Sequence, residues 1–512
     1  MTALLPWLAA LGPALLFLPG LLPDAGADSR PRDMRRLVLG AALANAGLAV
    51  LVAVGLVAFG PVPGWLVQLD ALSGTMLVLV SGIGAVVVAY SRRYLDGDPG
   101  QGRFMRWLSL TLASVLVLVV AGNLVLFAAA WVATGLFLHR LLLFYPERPA
   151  AQAAARKRFL ANRIGDACLF AAIAFVWTSF GTLGFAELSA VARGMADPGL
   201  AVHAATLLLA LAALIKSAQL PVHGWLPEVM ETPTPVSALL HAGIINAGGF
   251  LVLRMADVMA ASAPALDLLL MVGALTACFG AAVMLTQTSV KVQLAWSTIA
   301  QMGFMMMQCG LGAFASALLH IVAHAVYKAH AFLSSGTVAH ARRAEKPAPL
   351  PASLLLPALA ASVVLVLGTG ALFGMPAGEK PGAAVLGAVL MMGLAPTLAA
   401  SLGARATVPL ALRAAGIAVL VCAAYFALQA GAEALLAAAL PVDAAPRGLV
   451  AVLLSVLAVV SFATLLVLNV MRRAAAPSPH VQALHVHLSN GFYLNTATNR
   501  LVARIWPQQG TR

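Results

Sequence analysis

Long apolar segments recur along the whole chain, and they constrain its fold more than any other feature. Mean hydropathy is +0.95 and 10% of the 512 residues are charged, against roughly a quarter in soluble domains. About fifteen segments are long enough to cross a bilayer, with approximate cores at 3–20, 37–60, 71–90, 107–122, 123–145, 160–181, 203–220, 234–254, 264–286, 291–309, 312–338, 352–374, 383–402, 408–428 and 448–471. Since lipid offers no hydrogen bonds to the backbone, the sequence predicts an all-α polytopic membrane protein with about 14–15 transmembrane helices.

The basic residues predict the orientation of these spans. Lysine and arginine number 31 against 18 acidic residues, a net charge of +13, and such an excess collects in cytoplasmic loops of membrane proteins. The loops after spans one, three, five and eleven and the segment after the last span hold most of it: Arg30, Arg32, Arg35, Arg36, Arg92, Arg93, Arg103, Arg106, Arg148, Arg156, Lys157, Arg158, Arg342, Arg343, Lys346, Arg472 and Arg473. We therefore expect an external N-terminus and a cytoplasmic tail over 472–512, with membrane lipid and no nucleic acid as surroundings. The first segment lacks a basic leader and is interpreted as a retained span.

Two lysines stand inside apolar helices, where a charge costs about 2.5–3.5 kcal/mol on insertion scales. One is Lys216. The other is Lys328, which follows His320 and His324 at intervals of four residues, so that the three share one helix face. Neutral imidazoles beside an ammonium group can pass protons along such a row. The alternative is a set of satisfied hydrogen bonds between helices with no role in transport.

Asp166 is an acidic residue near the start of the sixth span, three residues after Arg163. One interpretation is an interfacial Arg–Asp pair on successive turns of a helix. The other is a carboxylate partner for Lys216, which would make the charge of that lysine tolerable in a low-dielectric interior. The sequence leaves both interpretations open.

Prolines interrupt the apolar pattern just after Lys216, beginning at Pro221. A proline removes a backbone donor and breaks a helix, and broken helices occur at membrane depth only inside protein or along a wet cavity. The alternative is a kinked helix whose lysine extends toward the interface. We expect an ion path that includes Lys216, Asp166, His241, Lys328, His320 and His324, with Arg163, His223, Glu228, Glu231 and His330 as secondary candidates.

No pattern in the chain predicts a cofactor or a metal site of its own. A membrane cytochrome is an alternative class, but haem needs histidine pairs that face one pocket, and the chain has no CxxCH motif. The cysteines lie in apolar runs without CxxC spacing: Cys168, Cys278, Cys309 and Cys422. The tail offers three histidines without a neighbouring cysteine or carboxylate, and we expect them to be solvated or to face a partner: His480, His485 and His487.

Five motifs in chain order carry a resemblance to the antiporter-like subunits of respiratory complex I and Mrp antiporters. They are "DALSGTMLVLV" with "YSRRYL" from Asp70, "NRIGD" from Asn162, "KSAQLPVHGWLPEVMETPTPVSALLHA" from Lys216, "VKVQLAWSTIAQMGFM" from Val290 and "HAVYKAHAFLSSG" from His324. The resemblance covers about residues 65–340. It implies two inverted repeats of five helices, each with one broken helix, around a polar axis. It also implies that Lys216 handles protons in a first half-channel and that the axis continues through Lys328, His241, His320 and His324.

Two departures from the family pattern change what is expected. The family's fifth span carries a "WEGVGL"-like motif whose glutamate pairs with the lysine of span seven, but here the matching stretch is "WVATGL" and Val132 takes that place. Asp166 is then the nearest candidate partner of Lys216. The family's late "GFxSKDxI" motif is also missing, and only "LFGMPAGEK", ending in Glu379 and Lys380, stands near its place.

Within this superfamily the pattern is similar to the DabB family, the membrane subunits of two-component inorganic-carbon accumulation complexes, because "ETPTPVSALLHAGIINAGGFL" suits that branch better. The resemblance implies a bacterial inner-membrane transport subunit that is not an enzyme. It also implies a soluble, zinc-holding DabA-like partner on the cytoplasmic face, whose hydration of CO2 to bicarbonate is driven by cation flow.

Several points stay open in this interpretation. The ion is a proton or sodium, and the alternative function is a proton-pumping antiporter-like subunit of a respiratory, hydrogenase or Mrp-type complex. The expected organisation has five parts: N-terminal helices over 1–106, a first repeat over 107–260, a second repeat over 261–405, C-terminal helices over 406–471 and a tail over 472–512.

Overall fold

The structure is a computed structural model that describes residues 2–195, 197–340, 352–375, 381–403, 407–441, 448–474 and 479–506. In these residues the chain is helical, and its only β-structure is isolated bridges. The α-helices are α1 Leu5–Phe17, α2 Asp24–Ser29, α3 Pro31–Phe59, α4 Ala71–Tyr94, α5 Gln101–Val120, α6 Leu124–Leu142, α7 Pro149–Phe180, α8 Phe185–Arg193, α9 Leu200–Lys216, α10 Trp225–Glu228, α11 Thr234–Ala242, α12 Ala247–Arg254, α13 Ala256–Ala260, α14 Ala263–Met284, α15 Val290–Gly310, α16 Phe314–Leu333, α17 Leu355–Leu372, α18 Pro381–Ser401, α19 Val408–Leu436, α20 Leu449–Ala474, α21 Pro479–Ser489 and α22 Leu494–Ile505. The sequence candidates Glu379 and Lys380 lie outside the described residues, as do Arg342, Arg343 and Lys346.

Twelve helical stretches in the described part of the chain are long and apolar enough to cross a membrane, which confirms the all-α polytopic class. The other three predicted spans fall on α9, which is shorter, and on the more polar α15 and α16. Side chains bind the free amides at the start of several helices. Asp70 accepts from the Ser73 amide at the start of α4, and Asn123 accepts from the Leu126 amide at the start of α6, both over 2.8 Å.

The break that the prolines predict lies just after α9. This helix ends at Lys216, and short turns and α10 fill the interval before α11. Side chains bind the freed backbone groups of this interval: Gln219 Nε2 donates to the Ser217 carbonyl over 2.8 Å, and Thr276 Oγ1 accepts from the Leu220 amide over 3.2 Å. A broken helix is tolerated at membrane depth when its backbone is bound in this way.

The later helices form a smaller unit beside this core. α17 runs from Leu355 to Leu372, and the stretch near which the family resemblance places a second broken helix follows it and lies partly outside the described residues. α17 packs with α18, α19 and the end of α20 around an apolar cluster separate from the large core of the earlier helices. A third cluster joins α18 and α20 to α14 and α15. The later helices are thus attached to the core chiefly through apolar contacts.

Successive spans reverse direction, so each loop lies at one of two ends of the bundle. The loops after α2, α4 and α6 and the segment between α9 and α11 meet at one end, which we call the arginine-rich end. There Arg148 Nη1 donates to the Glu231 carbonyl over 3.0 Å. The opposite end holds a buried ion pair in which Arg254 Nη1 lies 2.5 Å from Asp70 Oδ2. These contacts fix which helix ends share a surface.

The C-terminal helices α21 and α22 pack at the arginine-rich end. Gln287 Nε2 donates to the Ser489 carbonyl over 3.2 Å, and Asn495 Nδ2 donates to Glu228 Oε1 over 2.6 Å. The tail histidines on α21 have exposed side chains: His480, His485 and His487. The expectation of a solvated or partner-facing tail therefore describes α21, whereas α22 is docked on the protein.

Candidate ion path

Lys216 lies in the last turn of α9 and is 5% exposed. Its Nζ donates to the backbone carbonyl of Trp131 on α6 over 3.3 Å and lies 4.2 Å from the centre of the Trp131 ring. An ammonium group over an indole face is stabilised by the ring quadrupole. Trp131 therefore supplies both a hydrogen-bond acceptor and a cation–π surface to this lysine.

Asp166 on α7 is joined to the same tryptophan. Its Oδ1 accepts from Trp131 Nε1 over 2.9 Å, and its Oδ2 lies 2.6 Å from Arg163 Nη2 one turn earlier. Among the described residues no ion pair within 4.0 Å joins Asp166 to Lys216. The structure thus contains the Arg163–Asp166 pair that one interpretation of the sequence predicts. It also connects Asp166 to Lys216 through the indole of Trp131. A role of Asp166 in transport stays a prediction.

Arg158 is a further cation beside this lysine. It is 2% exposed, and its Nη1 donates to the Gly135 carbonyl over 3.4 Å. A Cβ placed on Gly135 would lie 3.9 Å from Lys216 Nζ, an ordinary contact distance, so Gly135 lies next to both the arginine and the amine. We call Lys216, Trp131, Asp166, Arg163 and Arg158 the Lys216 cluster. It combines three cations with one carboxylate.

Sequence reasoning missed Arg158 and Trp131 as members of the site. The sequence pattern predicts that Arg158 belongs to the basic loop after span five, but α7 begins at Pro149 and carries the arginine inside the bundle. Trp131 precedes Val132, the position where the family glutamate is lost, and a polar indole beside that position was the available signal. The indole now contacts both the lysine and the carboxylate.

Lys328 is fully buried on α16 and binds a carbonyl oxygen. Its Nζ donates to the Leu294 carbonyl over 3.0 Å, and Thr298 Oγ1 donates to the same oxygen over 3.0 Å. Thr298 Oγ1 is in turn 3.0 Å from Nδ1 of His241, which is itself fully buried on α11. One carbonyl and one hydroxyl thus connect the lysine of α16 to the histidine of α11.

The predicted histidine row is present on α16. The rings of His320 and His324 are stacked with centres 6.0 Å apart. The Nε2 atoms of these two residues and of His241 are buried and have no hydrogen-bond partner among the described residues. Water is the usual partner of such buried groups. We call Lys328, His241, His320, His324 and Thr298 the Lys328 cluster; it is suited to proton transfer through imidazoles and water.

Glu228 lies at the arginine-rich end and not beside Lys216. Its Oε2 is 2.7 Å from Lys157 Nζ, and its Oε1 accepts from Asn495 Nδ2 over 2.6 Å and from Asn499 Nδ2 over 2.8 Å. Lys157 Nζ also donates to Asn495 Oδ1 over 2.6 Å. The tail helix α22 thus completes a polar group around this carboxylate, which the sequence pattern did not indicate.

The other secondary candidates are dispersed. His223 is 1% exposed, and neither of its ring nitrogens has a partner in the described chain. The centre of its ring lies 5.3 Å from that of Trp296. The side chains of Glu231 and His330 are exposed at the surface. The structure brings neither of these two into the Lys216 or Lys328 cluster.

The arrangement of these side chains is suited to the movement of protons. Within the described residues no group of three or more histidine, cysteine or acidic side chains is placed to hold a metal ion. The ionisable groups lie instead in buried clusters along helices that cross the membrane. Such intramembrane residues are typical of ion paths and proton relays.

The family model for the transmembrane part of NADH:quinone oxidoreductase and Mrp antiporters matches residues 121–407, and that for the N-terminus of complex I chain 5 matches residues 63–105. The chain is 37% identical over 515 residues to the "Probable inorganic carbon transporter subunit DabB2" of Halothiobacillus neapolitanus, a match that covers 97% of this chain and 93% of that protein. It is 46% identical over 277 residues to the DabB subunit of the same description from Hydrogenovibrio crunogenus, covering 54% of each. It is 41% identical over 283 residues to NADH-quinone oxidoreductase subunit L of Mycobacterium tuberculosis, covering 54% of this chain and 44% of that one.

Two solved structures share the fold. A chain of the Mrp complex from Dietzia sp. superposes with a TM-score of 0.62 at 24% identity, over 98% of this chain and 60% of that chain. A chain of the archaeal membrane-bound sulfane sulfur reductase, a respiratory membrane complex, superposes with a TM-score of 0.57 at 17% identity, over 97% and 99%. The helix arrangement described above is therefore also found in a chain of each of these two complexes.

Proposed function

The chain belongs to the NADH:quinone oxidoreductase/Mrp antiporter family and, within it, to the DabB inorganic carbon transporter subunits, and on that premise we propose that it conducts protons into the cytoplasm to energise inorganic-carbon accumulation. It is a multi-pass membrane transport subunit. The observation that carries the proposal is the extent of the match: 97% of the chain aligns with 93% of the DabB2-named relative. The matches to the Hydrogenovibrio DabB subunit and to the respiratory subunit L each cover 54% of the chain, at 46% and 41% identity.

The two buried clusters support conduction. Lys216 and Lys328 are 5% and 0% exposed, and since charges at membrane depth are costly, residues of this kind usually mark an ion path. A proton passes between carboxylate, amine, imidazole and water, whereas sodium needs a cage of oxygen ligands. The three unpartnered imidazole nitrogens of the Lys328 cluster favour the proton.

The proposed topology places the arginine-rich end in the cytoplasm. Basic loops are retained on that side, so the N-terminus is external and the tail helices are cytoplasmic, in a bacterial inner membrane. We place the partner on the same face because bicarbonate must be released where it is retained. The partner is a soluble DabA-like subunit, and zinc, which would activate the attacking water, is held by that subunit and not by this chain.

Uptake of radiolabelled inorganic carbon tests the proposal. The chain and a DabA-like subunit are expressed together, or each alone, in a bacterium whose growth in air requires inorganic-carbon uptake. We expect uptake only with both subunits, loss of uptake with a protonophore, and retention of uptake with a sodium ionophore. Uptake that persists with the protonophore and the sodium ionophore together would contradict the coupling role. Loss of uptake with the sodium ionophore alone would identify sodium, and not the proton, as the coupling ion.

A second function is favoured by one observation, the 41% identity over 283 residues to the respiratory subunit L. In that case the chain would be an antiporter-like pumping subunit of a respiratory, hydrogenase or Mrp-type complex. Purification of the tagged chain separates the two. A single large zinc protein in the complex supports the first function, and several membrane redox or Mrp-type subunits support the second.

A further inference from the structure

The histidine row on α16 continues beyond His320 toward the end of the bundle opposite the arginine-rich end. Ser316 lies one helical turn before His320 on the same face, and it is 4% exposed. Its Oγ donates to Oε1 of Gln429 on α19 over 2.9 Å. The row therefore has four members at intervals of four residues, and its outermost member is joined to another helix.

Gln429 extends the connection along α19. It is 8% exposed, and its Nε2 donates to Oε1 of Glu433 one turn later over 2.9 Å. Glu433 is partly buried, and α19 ends three residues further on at Leu436. Hydrogen bonds thus lead from α16 to a carboxylate near the opposite end of the bundle.

Glu433 is the only acidic residue in the sequence of α19. An ionisable residue in a transmembrane helix is costly, and it is usually retained because it takes part in an ion path. The amide of Gln429 has two functions here: its oxygen accepts from Ser316 and its nitrogen donates to Glu433. An amide binds both neighbours but does not itself carry a proton at ordinary pH.

We propose that Glu433 is the proton-binding residue at the outer mouth of the Lys328 cluster and that Gln429 is the positioning residue that holds it toward Ser316 and His320. The inference deepens the proposed function, since the proposed topology places this end of the bundle outside. Glu433 takes a proton from external water. The carboxylic O–H bond then breaks as an N–H bond forms at His320 Nε2, with water or the Ser316 hydroxyl between them. Carboxylate and imidazolium result, and the imidazolium passes the proton on toward Lys328.

The test uses the chain together with its partner in the uptake assay described above. Glu433→Gln keeps the size of the side chain and removes its proton site, so we expect uptake to fall at least about tenfold, as when an acid–base group is lost. Glu433→Asp keeps a carboxyl group and should retain more uptake than Glu433→Gln. The matched control is Glu187→Gln on α8, a carboxylate at the same end of the bundle that interacts with Thr182. It should be unchanged.

Gln429→Met tests the positioning role. Alone it should lower uptake, but combined with Glu433→Gln it should cause no further loss, because Gln429 acts only through Glu433. Membrane abundance and co-purification with the partner are measured for every variant and should stay at wild-type levels. Additive losses would assign Gln429 to packing of α16 on α19 and overturn its positioning role.

Two outcomes separate this inference from the proposed function. If wild-type uptake is unaffected by dissipating both the proton and the sodium gradient, the proposed function fails. If wild-type uptake does need the proton gradient and Glu433→Gln equals the wild type, the inference fails and the Ser316–Gln429–Glu433 contacts are only a link between helices. If the Glu433 variants do not insert into the membrane, the wild-type protein is treated with a water-soluble carbodiimide that modifies Glu433. Modification from outside that stops uptake supports the inference, and modification without loss of uptake overturns it.

Discussion

The Lys216 cluster and the Lys328 cluster bury the same type of side chain in two different settings. Lys216 lies among two arginines, a carboxylate and an indole, and Trp131 contacts both the amine and Asp166. Lys328 binds a backbone carbonyl beside three histidines, and the described residues contain no ion pair between it and a carboxylate. The first setting holds fixed charges, and the second consists mainly of groups that exchange protons.

We expect the two clusters to respond differently to the loss of a single group. Guanidinium groups stay protonated in proteins, so Arg158 and Arg163 keep a constant positive charge beside Lys216, and Asp166 is the one anion that offsets it. We therefore expect the gain or loss of a proton at Lys216 to change this charge balance most. In the Lys328 cluster imidazole and water can share a proton over several positions, so the loss of one hydrogen bond should matter less.

The largest effect is expected from removing the first lysine. Lys216→Ala should lower inorganic-carbon uptake to the background of the assay, because the path loses the group that changes charge within a fixed electrostatic setting. Insertion should be normal, as alanine is favourable in a membrane helix. The control is Lys291→Ala, whose Nζ donates to Thr234 Oγ1 over 3.0 Å outside both clusters. Normal uptake by Lys216→Ala would show that the Lys216 cluster has no role in coupling.

The second effect tests the carboxylate that distinguishes the clusters. Asp166→Asn keeps the shape of the side chain but removes the only negative charge of the Lys216 cluster, and it leaves the buried cations Lys216 and Arg158 without that charge. We expect uptake to fall at least about tenfold at normal membrane abundance. Arg163→Ala serves as the comparison because the arginine side chain is 37% exposed. A fully active Asp166→Asn together with a merely less stable Arg163→Ala would assign Asp166 to a structural ion pair.

The positions of the spans and of both lysines could be predicted from the sequence because they depend on local patterns. Apolar runs predict the fifteen spans, and four-residue spacing predicts the row of His320, His324 and Lys328. The contacts that complete the clusters have no local pattern. Asn495 reaches Glu228 across 267 positions of sequence, and Trp131 reaches Asp166 across 35. Pairing of this kind depends on how helices pack, which a single sequence does not record.

The position of Arg158 could not be predicted from the sequence, because its burial also depends on how the helices pack. Arg158 carries the charge pattern of a cytoplasmic loop, and that pattern predicts topology. Its burial depends instead on α7 beginning at Pro149 and extending for 32 residues, longer than a bilayer requires. The extra turns carry Arg158 in against Gly135. A basic residue of a cytoplasmic loop therefore cannot be distinguished from one of a buried cluster until the first residue of the helix is known.

The third effect isolates the indole of the Lys216 cluster. Trp131→Phe keeps the backbone carbonyl and an aromatic ring beneath Lys216 but removes the N–H that donates to Asp166. A hydrogen bond to a charged group contributes about 1.5–3 kcal/mol, but Arg163 still holds Asp166 in place, so only part of that free energy is lost. We expect uptake to fall about five- to tenfold, less than for Asp166→Asn. Combined with Asp166→Asn, Trp131→Phe should add nothing. An additive double variant would show that the ring packs in the core but does not connect the carboxylate to the lysine.

The smallest effect is expected in the Lys328 cluster. Thr298→Val keeps the shape of the side chain and removes the hydroxyl between His241 Nδ1 and the Leu294 carbonyl. A neutral hydrogen bond contributes about 0.5–1.5 kcal/mol, and water can take the place of the hydroxyl beside His241, so we expect about a threefold loss of uptake. Thr369→Val on α17 is the matched control, because its hydroxyl also donates to a carbonyl one turn earlier but contacts no residue of either cluster. A loss as large as that of Asp166→Asn would mean that the Lys328 cluster depends on one fixed connection. The Lys328 cluster would then depend on the hydrogen bond between His241 and Thr298 as strictly as the Lys216 cluster depends on the charge of Asp166. The proposed difference between the two clusters would be wrong.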